Sequence, residues 1–128
     1  MSHFSQIKTQ IRNLDSLKTA LSDLNITWKA GPHPVRGYQG QTQTAEVVVE
    51  QHNGYDIGFA WNGEQYNLVA DLQYWQQPLT VDRFLSQVTQ RYALNVVTKT
   101  TQAQGFQVAE RVENRDGSIR LVVQRWNG

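Results

Sequence analysis

Apolar and polar positions alternate along most of this chain, and the alternation gives way twice to helical spacing. Ile7, Thr9 and Ile11 alternate with Lys8 and Gln10, which predicts a strand near 4–11. Leu14, Leu17, Leu21 and Leu24 follow at i, i+3, i+7 and i+10, the stripe of an amphipathic helix. Asn13 or Asp15 caps it by accepting from free backbone N–H groups, and Asn25 tolerates the left-handed stop. Ile26 and Trp28 begin a second strand that runs into Gly31-Pro32. Residues 31–44 carry three Gly and two Pro and no core pattern. They read as a long loop, with at most a short extended piece at 35–38.

A meander comes next. Ala45, Val47 and Val49 alternate with Glu46, Val48 and Glu50, and His52-Asn53-Gly54 signals a turn. Ile57, Phe59 and Trp61 alternate in turn. Asn62-Gly63 is the strongest hairpin signal, because both residues accept the positive φ of a type I′ turn. Tyr66, Leu68, Ala70 and Leu72 complete three antiparallel strands. Pro78 and Thr80 introduce a second helix through Val81, Phe84, Leu85, Val88 and Tyr92. Asn95 is one candidate end, with Val96-Val97-Thr98 strand-like; Gln104, before Gly105, is the other and is favoured. A hairpin closes the chain: Phe106, Val108, Glu110 and Val112 lead out, 114–117 turn, and Ile119, Leu121 and Val123 return.

The order β-α-β-β-β-β-α-β-β predicts an α+β domain over 1–128: a mostly antiparallel sheet with two helices packed on one face. A ferredoxin-like arrangement with an inserted hairpin fits that order best. The chain has 128 residues, 39 % hydrophobic and 18 % charged, enough for a packed core and too apolar for a disordered segment. It has no Cys, which removes disulfides, thiolate nucleophiles and Cys-based metal knuckles. No apolar run reaches a membrane span, and the first residues lack the basic and apolar regions of a secretion signal, so a soluble intracellular protein is expected.

The net charge of +1 hides a layout. Residues 1–36 carry five Lys/Arg and two Asp/Glu, or +3; residues 37–82 carry six acids and no base, or −6; residues 83–128 carry seven bases and three acids, or +4. The default reading is that the segments neighbour each other in the sheet and opposite charges meet. The alternative is an acidic face that steers a partner.

Candidate chemistry is sparse. Glu46, Glu50, Asp56 and Asp71 share the strand phase opposite the apolar one, so a hard cation or a carboxylate acid/base pair is conceivable there; the default is a solvated face. His3, His33 and His52 show no metal-ligand spacing. Val35-Arg36-Gly37-Tyr38-Gln39-Gly40 is more informative. Gly37 and Gly40 let backbone approach a ligand, and Arg36 offers a fork for a carboxylate or phosphate. The piece follows a proline and precedes a strand, so it is not the clamp of a KH domain, and it lacks the Gly-Lys-Ser/Thr of a P-loop. A structural turn is its default role, a partner contact the alternative. Trp75, between strand and helix, either covers the core edge or is an exposed hot spot. Arg111, Arg120 and Arg125 share the last hairpin and supply an RNA-binding alternative. Against nucleic acid, Trp61, Tyr66, Tyr74 and Trp75 lie where there is no base.

Several pieces together resemble a known family: Met1-Ser2-His3-Phe4-Ser5, Val35-Arg36-Gly37-Tyr38, Tyr55-Asp56-Ile57-Gly58-Phe59, Leu68-Val69-Ala70-Asp71-Leu72, Thr89-Gln90-Arg91-Tyr92 and Asp116-Gly117-Ser118-Ile119-Arg120-Leu121. The chain is similar over its whole length to the hypothetical chloroplast reading frame thirty-five family of cyanobacteria and red-algal plastids. That resemblance implies cyanobacterial cytoplasm or plastid stroma, and it carries no activity or catalytic residues. The expectation is a non-enzymatic accessory or assembly factor with a protein partner and no cofactor. Its partner-binding candidates are Arg36, Gly37, Tyr38, Gly40, Trp75 and Asp71. The alternatives are a small-molecule- or metal-dependent enzyme using the carboxylates, and RNA binding through the last hairpin.

Overall fold

The computed structural model describes residues 3–125. The elements run β1 (Ser5–Ile7), α1 (Leu14–Asp23), β2 (Lys29–Arg36), β3 (Thr42–Val49), β4 (Ile57–Trp61), β5 (Tyr66–Ala70), α2 (Val81–Ala103), β6 (Phe106–Glu113) and β7 (Ile119–Arg125). β1 to β5 form one antiparallel sheet in the order β1-β5-β4-β3-β2; β6 and β7 form a second. Four antiparallel steps separate β1 from β2, so these edge strands run in the same direction and α1 crosses between them. That is a split β-α-β with an extra hairpin in the gap, as expected. The strand after α2 pairs with β7, in a small sheet of its own carried on α2.

Both helices pack on one face of the large sheet. Leu17 and Leu21 of α1 and Phe84 and Val88 of α2 meet Val47, Val49, Ile57, Phe59, Leu68 and Ala70 in one buried cluster. Asn13 caps α1, its Oδ1 accepting from Ser16 N at 2.9 Å. Such a cap contributes about 1 kcal/mol. Thr80 caps α2 in the same way through Arg83 N at 3.3 Å. The Tyr92 hydroxyl accepts from the N–H groups of Arg12 and Asn13, both at 3.0 Å, and so ties α2 to the entry of α1. α2 continues through the β-branched run at 96–98 and ends before Gly105, whose φ is +85.

The structure corrects the sequence reading at several points. Residues 31–44 are mostly strand, not a long loop: β2 and β3 pair from Lys29↔Val48 to Arg36↔Thr42 across a tight tip. Pro32 and Pro34 are tolerated because β2 is an edge strand with no partner on its outer side. Gly31 is needed there, since a Cβ would stand 2.2 Å from the Ala45 carbonyl oxygen. β1 is only three residues long; Thr9 and Ile11 leave the ladder, with Ile11 O accepting from Tyr66 N at 2.8 Å and the Thr9 hydroxyl on Tyr66 O. β2 begins at Lys29, and Ile26 and Trp28 pack at the core edge. β5 ends at Ala70, so Leu72 belongs to a 3-10 turn, Leu72–Tyr74. Asn62-Gly63 forms no two-residue turn: Trp61 pairs with Tyr66, and the Asn62 side-chain Oδ1 accepts from Glu64 N and Gln65 N, both at 2.9 Å.

The second face of the sheet is covered by its own strands. A register shift between Ala30 and His33 bends the β2–β3 hairpin, so that Val35, Ala45 and Val48 form a second buried cluster with Phe4 and Ala60 against it. The fit is close at Gly58, where a Cβ would stand 2.4 Å from Val35 Cγ2 and 3.0 Å from Ala45 Cβ. Gly58→Ala is therefore expected to destabilise the protein by about 1–3 kcal/mol by overpacking, read as a lower urea midpoint. Val35→Ala in the same chain relieves the clash, so the double variant loses less than the two single losses added. Additive losses would refute the contact.

Candidate functional site

The bent hairpin brings its tip to the end of the sheet where β4 begins and β5 stops. Arg36, the last residue of β2, reaches Asp56, which precedes β4. Arg36 Nε donates to Asp56 Oδ2 at 2.8 Å and Nη2 to Oδ1 at 2.9 Å. The backbones close the ring: Arg36 N donates to Oδ2 at 2.9 Å, and Asp56 N to Arg36 O at 2.9 Å. The Asp56 carboxylate is wholly buried, while the Arg36 side chain is 49 % exposed. These bonds hold the guanidinium pKa above its usual value, chiefly through the side-chain hydrogen bonds to Asp56. Glu50 stands on the outer side, 3.6 Å from Arg36 Nη2 and bonded to Lys29. The bond to Lys29 is the main reason its carboxyl lies below the ordinary glutamate value.

Beyond Arg36 the chain turns through Gly37, whose N–H donates to Gln41 O at 2.7 Å, and through Gln39 and Gly40, both at positive φ. Phe4 lies against Gly37, where a Cβ would stand 2.5 Å from its ring. Tyr38 lies parallel to Tyr74 with ring centroids 6.0 Å apart, and Tyr55 stacks on Tyr74 at 4.0 Å. Burial raises the Tyr55 phenol first of all, with the neighbouring tyrosines and Asp71 adding to it. Two amides hold the loops beneath. Gln51, itself buried, donates to Tyr55 O and to Tyr74 O and accepts from Gln76 N at 2.7 Å. Asn53 donates to Tyr74 O at 2.9 Å and accepts from Tyr55 N at 3.1 Å.

Of the residues singled out in the sequence, Arg36, Gly37, Tyr38 and Gly40 share this tip. Asp71 is buried and caps the 3-10 turn that carries Tyr74, its Oδ1 accepting from Gln73 N at 3.2 Å. Trp75 points elsewhere: its ring packs edge-on to Phe84 with centroids 5.1 Å apart, and its indole N–H donates to Leu79 O at 2.8 Å. It belongs to the core edge. Of the four carboxylates, Glu46 stands apart from the tip. Glu46 accepts from Trp61 N at 2.8 Å, and among the described residues no three His, Asp or Glu are placed to hold a metal ion. The last hairpin satisfies its own arginines: Arg111 bonds Glu113 at 2.7 Å, Arg120 lies 3.9 Å from Glu110, and the Arg125 guanidinium covers the Phe106 ring at 5.0 Å.

Sequence reasoning did not find Asp56 as the partner of Arg36, twenty positions away, or Tyr55, Tyr74, Gln51 and Asn53. The bend of β2 brings Arg36 to Asp56 and Tyr38 to Tyr74, the loops after β3 and β5 bring Gln51, Asn53 and Tyr55 to Tyr74, and no periodicity announces either. It also missed a cleft of about 470 Å³ between the end of α1, the end of β3 and the start of α2, walled by Ile26, Val49 and Phe84 with His52 and Gln87 at the rim.

Residues 20–122 match the family model described as "Protein of unknown function (DUF1257)". The chain is 49 % identical over 126 residues to "Uncharacterized protein ycf35" of Guillardia theta, covering 98 % of each chain. It is 48 % identical to the protein of that title from Cyanophora paradoxa, again over 98 % of each chain, and 40 % identical to that of Pyropia yezoensis, over 99 % of each. No solved structure matches it.

Arg36→Ala leaves the Asp56 carboxylate buried with backbone donors alone. The expected loss is about 2 kcal/mol, below the ~3–5 kcal/mol of a fully buried pair because Arg36 is half exposed. Urea unfolding measures it, and an unchanged midpoint would refute the strut. Glu50 supplies a pH test. Its lowered carboxyl adds stability above the ordinary glutamate range, and that contribution is lost as pH falls through the lowered folded value. Lys29→Gln should raise the Glu50 midpoint in a carboxyl NMR titration, and the stability gap to wild type should close in acid.

Proposed function

The chain belongs to the DUF1257 family, and from that premise we propose that it is a non-catalytic, protein-binding accessory factor of photosynthetic cells, acting in cyanobacterial cytoplasm or plastid stroma. One observation carries the reading: the tip at Arg36, Gly37, Tyr38 and Gly40 presents stacked tyrosines on a loop held from below by side-chain hydrogen bonds. Aromatic side chains fixed before contact lose little entropy on binding, which is what an interface anchor needs. Among the described residues no helix is long and apolar enough to cross a membrane. The cleft beside Val49 and Phe84 is what favours the small-molecule reading instead.

The test is crosslinking of the tagged protein in a photosynthetic host, with Tyr38→Ala beside it. A defined protein crosslinked through residues 36–41, and lost in a Tyr38→Ala variant of unchanged melting temperature, is the expected result. No partner at the tip overturns the reading. Recovered RNA that disappears in an Arg111→Ala/Arg120→Ala variant would transfer function to the last hairpin.

A further inference from the structure

Around the tip, two bases, Lys29 and Arg36, stand near three acids: the exposed Glu50 and the buried Asp56 and Asp71. Lys29 bonds Glu50, and Arg36 bonds Asp56 and lies near Glu50. Asp71 has no counter-ion among the described residues. It is 3 % exposed, its Oδ1 is used on Gln73 N, and its Oδ2 is buried with no hydrogen-bond partner. Its place in the fold makes this worse. Ile57 pairs with Ala70, so Asp56 and Asp71 stand one position beyond that pair on neighbouring chains. Like charges set opposite one another in a sheet repel, and a buried carboxylate oxygen without a donor is costly. The Arg36 guanidinium does not relieve it, since both arms that the structure shows bonded go to Asp56.

The surroundings are built for a cation. Tyr38 and Tyr55 each lie parallel to Tyr74, Asp71 caps the 3-10 turn that carries Tyr74, and its charge is one of those that raise the Tyr55 phenol. The whole stretch 37–82 contains six acids and no Lys or Arg. A cation over an aromatic face is attracted by the ring quadrupole. A guanidinium is flat and weakly hydrated, so it stacks on tyrosine better than an ammonium does. Oδ2 is closed to solvent in the free protein, so the carboxylate acts through its field, which is weakly screened where water is excluded.

We propose that this face binds an arginine of a basic segment in a partner protein, the guanidinium lying on the Tyr38 and Tyr74 rings with Asp71 as its counter-charge. The proposal rests on the reading of the tip as the partner surface and adds the partner's chemistry to it. It also assigns the Asp71 charge a purpose: with no ion-pair partner among the described residues, it is balanced through its field in the complex, without a bond to the closed Oδ2.

The experiment titrates the purified full-length protein with an arginine hexapeptide and with a lysine hexapeptide, following tyrosine resonances by NMR and affinity by calorimetry. Asp71→Asn keeps a capping oxygen for the 3-10 turn and removes the charge. Tyr38→Leu removes a ring, and Glu64→Gln removes an acid of the same block away from the tip. The arginine peptide should bind more tightly than the lysine peptide and shift the tip tyrosines. Asp71→Asn and Tyr38→Leu should each weaken it by about tenfold, and Glu64→Gln should leave it unchanged. The melting temperature of Asp71→Asn should hold or rise, as relief of an unpaired buried charge requires. Equal weakening by Asp71→Asn and Glu64→Gln would show diffuse attraction and overturn the proposal, as would no preference for arginine. If Asp71→Asn fails to fold, Tyr38→Leu decides by the same criterion. A cellular partner that is lost in Tyr38→Ala but binds the Asp71→Asn protein unchanged would sink this inference while leaving the tip as the interface; no crosslink at the tip would sink the functional reading itself.

Discussion

The bond between Arg36 and Asp56 fixes the shape of this molecule. A five-stranded sheet with helices on one face has a second face to cover, and among the described residues no further helix covers it. The solution is to bend the β2–β3 hairpin across that face, and a bent hairpin must be held at its far end. The strut does this with two side-chain and two backbone bonds. Because the carboxylate is wholly buried, releasing the tip would strand a charge in the interior. The remaining features of that face follow. Gly58 and Gly31 are glycine because neighbouring chains approach them too closely for a Cβ, and Gly37 because Phe4 occupies the space.

The same bend explains how the charge blocks are spent. The first basic block supplies Lys29 and Arg36 to Glu50 and Asp56 of the acidic block, so the neighbouring-segment reading holds for that pair of blocks. It does not hold for the last block, whose arginines bond within their own hairpin or reach it from α2, as Arg91 does to Glu113. The acidic block is thus compensated from one side only, and Asp71 is the buried acid of it left with an oxygen that has no hydrogen-bond partner among the described residues.

Much of the fold was legible because it depends on local rules. Both helices follow from leucine and aromatic spacing, with caps at Asn13 and Thr80. The meander follows from alternation, and the order of elements from the sum of these. What was not legible depended on edges and on distant partners. Two prolines argued against a strand at 31–36, yet an edge strand needs no outward donors. Alternation marked Asp56 and Asp71 as facing away from the helices, toward solvent; both are buried, Asp56 under Arg36 of the folded-back hairpin. Arg36 and Tyr38 were legible as a surface piece from Gly and Pro spacing. Their partners Asp56 and Tyr74 were not, since contact across 20 and 36 positions leaves no periodic trace. Trp75 had two readings in sequence, and the Phe84 ring selects the core edge.

The means by which the tip is held bears on what it can do. A loop fixed by surface ion pairs shifts with salt and pH. Here the outer pair, Lys29 with Glu50, is of that kind, but the inner restraints are not. Gln51 and Asn53 are uncharged amides bonded to the carbonyls of Tyr55 and Tyr74, and the Asp56 carboxylate is shielded from solvent. The two amides carry no titratable group. The tyrosine faces therefore keep their spacing while the charge around them is screened or neutralised. Ionic strength then tunes the attraction of a cation to this face without disturbing the surface it meets, so orientation and steering are separated: the amides and the strut set the first, and the uncompensated acid sets the second.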